Sequence, residues 1–296
     1  MATGKTAARR LLVLGASGTL GGPLTQRAAA LGWDVSSTYF TRPERIRAGM
    51  PVLLDVRDRA AVHEVIETVR PDAIIHAAVT ERSGPGYDET IRLAGRHVAE
   101  AAAARAIRLI SLSTDLVFDG SLPCYTEESD PRPAAVNHVY GGAKLDAERD
   151  TLALYPAALV VRTSLIYDFD RENAQVAWML RAIERGEPVR LFTDQMRCPI
   201  WAINLADALL ELVDRPAAGL LHIVGPELVS RHDLGVALLA ALGIDPAQHV
   251  IATTAPDHQV KRLYLSVERA RSLLQKTRLL TVAEAQQAHV TIPSAL

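Results

Sequence analysis

Lysine is nearly missing from this chain: of 32 cationic side chains in 296 residues only four are lysines, Lys5, Lys144, Lys261 and Lys276. Cysteine is scarce as well. Cys124 and Cys198 cannot build a disulfide framework, which points to a reducing compartment and makes the cytoplasm the expected location. A net charge of −2 lacks the clustered basic excess of a nucleic-acid-binding protein, so no nucleic-acid partner is expected. No stretch reaches the roughly 20 apolar residues of a membrane span. The apolar run at 11–14, behind Arg9 and Arg10, stops at Gly15, short of an export-signal core. Nine histidines and two cysteines show no ligand spacing, so no metal is expected. Gly4-Lys5-Thr6 has the end of a phosphate-binding P-loop but lacks its upstream glycine and preceding strand.

What is present is a hydrophobic content of 49% and enough length for a large domain with a smaller partner. Short apolar runs at 11–14, 33–39, 51–54, 73–76, 109–112 and 159–162 read as strands. Helical patterns at 21–31, 60–69, 89–104 and 140–154 separate them. The alternation predicts an α/β fold, a doubly wound, Rossmann-type and mostly parallel sheet with helices on both faces. After about residue 165 the rhythm loosens. Helices are expected at 174–185, 204–213, 231–242 and 267–274, a strand at 220–224, and an irregular tail after Pro256. This predicts a dinucleotide-type domain of residues 1–165 with 195–219, and a smaller C-terminal lobe of 166–194 with 220–296 that binds substrate.

The strongest local signal is Leu14-Gly15-Ala16-Ser17-Gly18-Thr19-Leu20-Gly21, a glycine turn between the first strand and the first helix. Glycines at this spacing let the chain turn sharply and let its backbone approach a pyrophosphate at a helix N-terminus. Gly15, Ser17, Gly18, Thr19, Leu20 and Gly21 are therefore candidate cofactor-binding residues. The second strand ends in Ser36-Ser37-Thr38-Tyr39-Phe40-Thr41-Arg42, with no acid before Glu44 to hold the ribose 2′-hydroxyl of NADH. Thr38 and Arg42 suit a 2′-phosphate, favouring NADPH over NADH, with Arg45 or Arg47 as alternatives to Arg42. Asp55, after the third strand, either faces the adenine or caps the next helix. His76, at the end of the fourth strand before Ala77 and Ala78, reads as a packed, hydrogen-bonded histidine. The acids Glu127, Glu128 and Asp130 read as a solvated loop.

Tyr140 and Lys144 lie four apart, so both project from one helix face. A nearby ammonium favours the phenolate and lowers the tyrosine pKa, which suits a proton donor to a carbonyl undergoing reduction. Ser111-Leu112-Ser113-Thr114-Asp115 ends a buried strand at the carboxyl edge where such sheets build their sites. A hydroxyl there can hydrogen-bond the substrate oxygen, and Asp115 beside it is a candidate substrate contact. His138, two residues before Tyr140, is a further candidate substrate contact.

These residues resemble the extended short-chain dehydrogenase/reductase superfamily: Gly15-x-x-Gly18-x-x-Gly21, a hydroxyl after a central strand, and Tyr140-x-x-x-Lys144. Within it, Ser113-Thr114-Asp115-Leu116-Val117-Phe118-Asp119-Gly120 is similar to the signature of the dTDP-4-dehydrorhamnose reductase-like family. The acidic, proline-rich loop 123–133, Tyr140-Gly141-Gly142-Ala143-Lys144-Leu145, Arg162-Thr163-Ser164, Asn204-Leu205-Ala206-Asp207-Ala208 and Leu221-His222-Ile223-Val224-Gly225 fit later blocks, so the resemblance spans about residues 10–240. It implies that Thr114 is the hydroxyl of the catalytic triad, Tyr140 the acid, and Lys144 the residue that tunes Tyr140 and holds the ribose. It also implies hydride transfer to the C4 ketone of a nucleotide-linked, dTDP-type 6-deoxysugar, a backbone at Ala77 and Ala78 that passes beside the cofactor, Arg197 as a phosphate contact in a stretch that faces the nucleotide, a lobe that holds the nucleotide, and a homodimer.

Three positions depart from the family pattern. Leu116 and Leu165 stand where the family has a tyrosine and a tryptophan lining its sugar pocket, and Arg92 where it has an asparagine near the lysine. A pocket that loses a ring and a hydroxyl selects a different ligand. The leading expectation is an NADPH-dependent ketoreductase. The alternatives are a catalytically silent dinucleotide-binding subunit that regulates a partner enzyme, and an epimerase or dehydratase that retains its cofactor. The lysine count bears on this choice, because the single lysine between residues 6 and 260 falls on Tyr-x-x-x-Lys, where a compact ammonium serves better than a guanidinium fork.

Overall fold

Residues 11–14 and 73–75 are fully buried and almost uninterruptedly apolar, as strands covered on both faces must be. A computed structural model describes residues 8–78 and 86–291; the Gly4-Lys5-Thr6 triplet lies outside them. The chain runs β1 (Arg10–Leu14), α1 (Gly21–Ala30), β2 (Asp34–Tyr39), β3 (Met50–Leu53), α2 (Arg59–Val69), β4 (Ala73–His76), α3 (Tyr87–Ala103), β5 (Arg108–Thr114), α4 (His138–Leu154) and β6 (Leu159–Thr163). It continues through β7 (Ile166–Tyr167), α5 (Ala174–Glu184), β8 (Val189–Phe192), β9 (Met196–Arg197), β10 (Ile200–Trp201), α6 (Ala202–Val213), β11 (Gly219–His222), β12 (Val229–Ser230), α7 (Arg231–Ala241), β13 (Val250–Thr253), α8 (Glu268–Leu273) and α9 (Val282–Thr291).

Seven strands form one parallel sheet in the order β11-β6-β5-β4-β1-β2-β3. The order reverses between β1 and β4, and ligands of doubly wound sheets bind in the crevice that such a reversal leaves at the strands' carboxyl ends. One core joins α1 and α6 to the sheet through Leu24, Ala28, Leu205 and Leu209. A second sets α2 and α3 against the other face through Val62, Ile66, Val98 and Ala102. The sheet continues through His222, so the expected division between 219 and 220 falls inside β11. The edge of β11 is closed by the expected solvated loop: Glu127 Oε1 accepts the His222 N–H at 2.9 Å. An unpaired edge amide is what draws that carboxylate in.

The C-terminal half adds three two-stranded sheets, β7/β10, β9/β12 and β8/β13, around a separate core of Tyr167, Phe169, Met179, Trp201 and Leu238. Most of these strands are two residues long, too short for a periodicity to announce them. The tail is also more ordered than expected. α9 follows a capping box in which Thr281 N donates to Glu284 Oε2 at 2.9 Å and Glu284 N to Thr281 Oγ1 at 3.2 Å. Its His289 stacks on Phe169 with centroids 4.8 Å apart. No helix among the described residues is long and apolar enough to cross a membrane.

Candidate active site

The turn after β1 is shaped by what its glycines omit. Gly15 has φ +85°, and a Cβ there would lie 2.5 Å from Ala78 Cα; at Gly21 it would lie 2.4 Å from the Gly15 carbonyl oxygen. Only glycine allows the turn to lie on the 77–78 backbone and on itself. The fold closes it further: Gly15 N donates to Thr38 Oγ1 at 3.1 Å, Ala16 N to Thr38 O at 2.9 Å, and Gly18 N to Gly15 O at 3.1 Å. The Thr38 hydroxyl thus braces the turn. Helix α1 opens at Leu20 with no side-chain cap and no acid in its first turn, leaving its N-terminal amides and dipole for an anion.

In front of this turn lies a cavity of about 570 Å³, lined among others by Gly15, Ser17, Gly18, Thr38, Arg42, Asp55, Ala77 and Ala78. Eight expected cofactor residues from four loops therefore meet around one space that is shaped for a dinucleotide. Leu20 is buried in the core and offers only its backbone, and Gly21 serves packing. Thr19 faces a neighbouring depression with Arg45, Arg47 and Asp170. Of the three candidate arginines Arg42 lines the cavity itself, while Arg45 and Arg47 line the depression, where Arg47 donates to Asp170 Oδ2 at 2.5 Å. Asp55 does not cap α2; Asp58 does, accepting from Ala60 N and Ala61 N at 2.9 and 3.1 Å. The Asp55 carboxylate lines the cavity instead, held low in pKa by its bonds from Arg57. Arg57 also lies over the Phe40 ring at 5.3 Å. Neither Arg57 nor Phe40 is among the expected residues, although an exposed aromatic two residues before Arg42 is a signal for a stacking base.

The other cluster stands at the carboxyl end of β5. Lys144 is buried, and its Nζ donates to Leu112 O at 3.1 Å. Tyr140 lies one turn earlier on α4, half-buried. Gly141 permits this approach, since a Cβ there would meet Leu116 O at 2.3 Å. Thr114 Oγ1 accepts from Leu116 N at 3.2 Å and lies 3.3 Å from Asp115 Oδ1, so it caps the 3-10 turn Asp115–Val117 at the mouth of the site. Asp115 is buried and accepts from Ser164 Oγ at 2.6 Å. Arg197, also buried, brings Nε to 3.9 Å from Asp115, while its other nitrogens donate to Met196 O and Val260 O at 2.8 and 3.0 Å. His138 is exposed at the start of α4. Leu116 packs against the sheet core and Leu165 against the lobe core. Arg92 donates to Asp88 at 3.0 Å and approaches Asp146 at 3.7 Å.

His76 corrects the expectation of a hydrogen-bonded histidine. It is packed, but its Nδ1 has no partner among the described residues. Burial and then the nearby Lys144 ammonium push its pKa down to about 3, so at neutral pH it is an uncharged wall of the site.

Known proteins share the sequence pattern and the fold. Residues 9–289 match the family described as RmlD substrate binding domain. A Mycobacterium tuberculosis protein named dTDP-4-dehydrorhamnose reductase is 33% identical over 250 residues, covering 80% of this chain and 77% of its own. The Xenopus laevis protein named methionine adenosyltransferase 2 subunit beta is 29% identical over 257 residues, 82% of this chain and 74% of its own. The crystal structure of dTDP-4-dehydrorhamnose reductase from Bacillus anthracis in complex with NADP shares the fold, with a TM-score of 0.77 at 21% identity, covering 95% of this chain and 98% of that one.

Proposed function

The chain belongs to the RmlD substrate binding domain family, and from that premise we propose that it is an NADPH-dependent reductase of the 4-keto group of a nucleotide-activated, dTDP-type 6-deoxysugar. One observation carries the reading. Lys144 is buried one helical turn from Tyr140 and fastened to Leu112 on the strand that ends in Thr114, and its charge acts on His76, the residue before the Ala77-Ala78 backbone that lies against Gly15. A buried ammonium in that place serves chemistry better than packing.

The backbone at Gly15 and Gly18 and the start of α1 would hold the pyrophosphate. Arg42, with Arg57 beside it, would face the 2′-phosphate, and Asp55 and Phe40 the adenine end. When bound, the dinucleotide supplies the hydride. Tyr140 gives a proton to the C4 oxygen, Thr114 hydrogen-bonds that oxygen, and Lys144 lowers the phenol pKa and holds ribose hydroxyls. Asp115, Leu116, His138, Leu165 and Arg197 line the sugar side. The sheet domain, with β11 whole (Gly219–His222), carries the dinucleotide and the smaller C-terminal lobe the substrate, in a cytoplasmic homodimer.

Purified protein should oxidise NADPH when given a panel of nucleotide-linked 4-ketosugars. Tyr140→Phe should lower kcat by about 10²–10⁴-fold with unchanged NADPH affinity. NADPH left untouched by the whole panel overturns the reading. The likeness to a protein named methionine adenosyltransferase 2 subunit beta, with leucines at 116 and 165, favours one second reading: a dinucleotide-binding subunit that regulates a partner enzyme. NADPH binding without turnover, and stoichiometric co-purification with a single enzyme, would select it.

A further inference from the structure

Behind the catalytic corner lies a buried charge pair that the proposed chemistry does not use. Ser113 on β5, Arg162 on β6 and His222 on β11 are direct cross-strand neighbours, so their side chains form one row on one sheet face. Glu148, one helical turn past Lys144 on α4, reaches into that row. Arg162 holds its carboxylate in a two-pronged grip, Nε to Oε1 at 3.0 Å and Nη2 to Oε2 at 2.7 Å. Ser113 Oγ donates to Oε1. Arg162 and Glu148 are 1% and 4% exposed, and the guanidinium lies 5.0 Å over the Phe118 ring.

Stability does not explain the pair, because well-packed apolar residues do as well as a buried ion pair or better. Its geometry does. Lys144 bonds Leu112 O and Glu148 bonds Ser113, so two consecutive strand residues are fastened to two consecutive turns of one helix. The next strand residue is Thr114, and the preceding helical turn carries Tyr140.

We propose that Glu148, held by Arg162, is a positioning residue. It fixes the register of α4 on β5, hence the Tyr140 phenol against the Thr114 hydroxyl, and it cancels the Arg162 charge about two helical turns along α4 from Tyr140. The proposal rests on the reductase reading only for what the phenol does. Among the described residues, other charges around α4 include Arg92 with Asp88 and Asp146 at the α3 contact, Asp115 with Arg197 at the 3-10 turn, and Lys144 and Asp150 on α4 itself, while His222, beside Arg162 in the row, is uncharged at neutral pH. His138 is exposed at the start of α4, Arg149 approaches Asp146, and His76 is uncharged at neutral pH. Substitution at 113 or 148 leaves all of these in place.

The test compares Ser113→Ala, Glu148→Gln and Glu148→Asp by kcat, KM, NADPH affinity, melting temperature and the ionisation midpoint of Tyr140. That midpoint is read without turnover, as an ultraviolet difference titration against Tyr140→Phe. Ser113→Ala should lose about tenfold in kcat, with KM, NADPH affinity and the midpoint unchanged. Glu148→Gln should lose about a hundredfold and move the midpoint to lower pH, because Arg162 is left charged and favours phenolate. Glu148→Asp should restore the midpoint but only part of kcat. Folded variants with wild-type kcat and midpoint, or losses that merely track melting temperature, overturn the proposal. Should Glu148→Gln not fold, wild-type kcat in both remaining variants overturns it. A wild type without turnover defeats the reductase reading instead, and the midpoint shift then decides this one alone.

Discussion

The two ends of the site are built from opposite materials. The dinucleotide cradle consists of backbone and missing side chains: Gly15 and Gly21 touch neighbouring main chain where any Cβ would collide. The catalytic corner consists of buried side chains, with Lys144, Asp115, Glu148, Arg162 and Arg197 all less than one-tenth exposed. A cradle of backbone dipoles tolerates no added atom, whereas a corner of buried charges tolerates no removed partner. Their failures should therefore differ in kind.

Among single substitutions the largest loss of stability is expected at the cradle. Gly15→Ala sets a side chain at φ +85° with the Ala78 backbone 2.5 Å away. Left-handed strain and overpacking together should cost about 2–5 kcal/mol, read as a fall in denaturation midpoint and loss of NADPH binding. An alanine variant that melts and binds normally would break the contrast.

Acid should act on the corner. His76 and His222 have native pKa values pushed down to about 3, first by burial and then by Lys144 and Arg162 respectively. The unfolded chain, with histidines near 6.5, binds more protons between those limits. Stability is therefore full above about pH 6.5 and falls toward pH 3, by at most about 1.4 kcal/mol per unit per histidine. Thermal melts from pH 7 to 4 should show this slope, flattened in His222→Gln. A flat wild-type curve would refute it.

A smaller effect sharpens the cradle's selectivity. Arg42→Ser should weaken NADPH binding by about tenfold while leaving NADH nearly unchanged, measured by calorimetric titration of both. The smallest belongs to the bridge between the two halves. Arg47→Ala breaks the pair with Asp170, whose partners are 40% and 31% exposed, and should change stability by less than about 1 kcal/mol in chemical denaturation.

Much of the cradle was legible because its signals are local. A strand, a glycine spacing and a helix follow one another within a few residues, and the Tyr140–Lys144 spacing places both on one helix face before any packing is known. Arg57 and Phe40 escaped because they come from different loops, and only their shared cavity relates them. The Thr281–Glu284 capping box is a local signal as well, and it starts α9 in a tail whose weak periodicity predicts irregular chain.

Residue order alone carried the alternation of strands and helices, the glycines at backbone contacts, and the one lysine placed opposite a tyrosine. These depend on periodicity, φ preference and side-chain type, which act within a turn or a strand. Folding supplied the rest: the seven-strand order, the short lobe strands, and the grip of Arg162 on Glu148. Those depend on which strands become neighbours, and a buried charge reveals its role only when its partner arrives from another element.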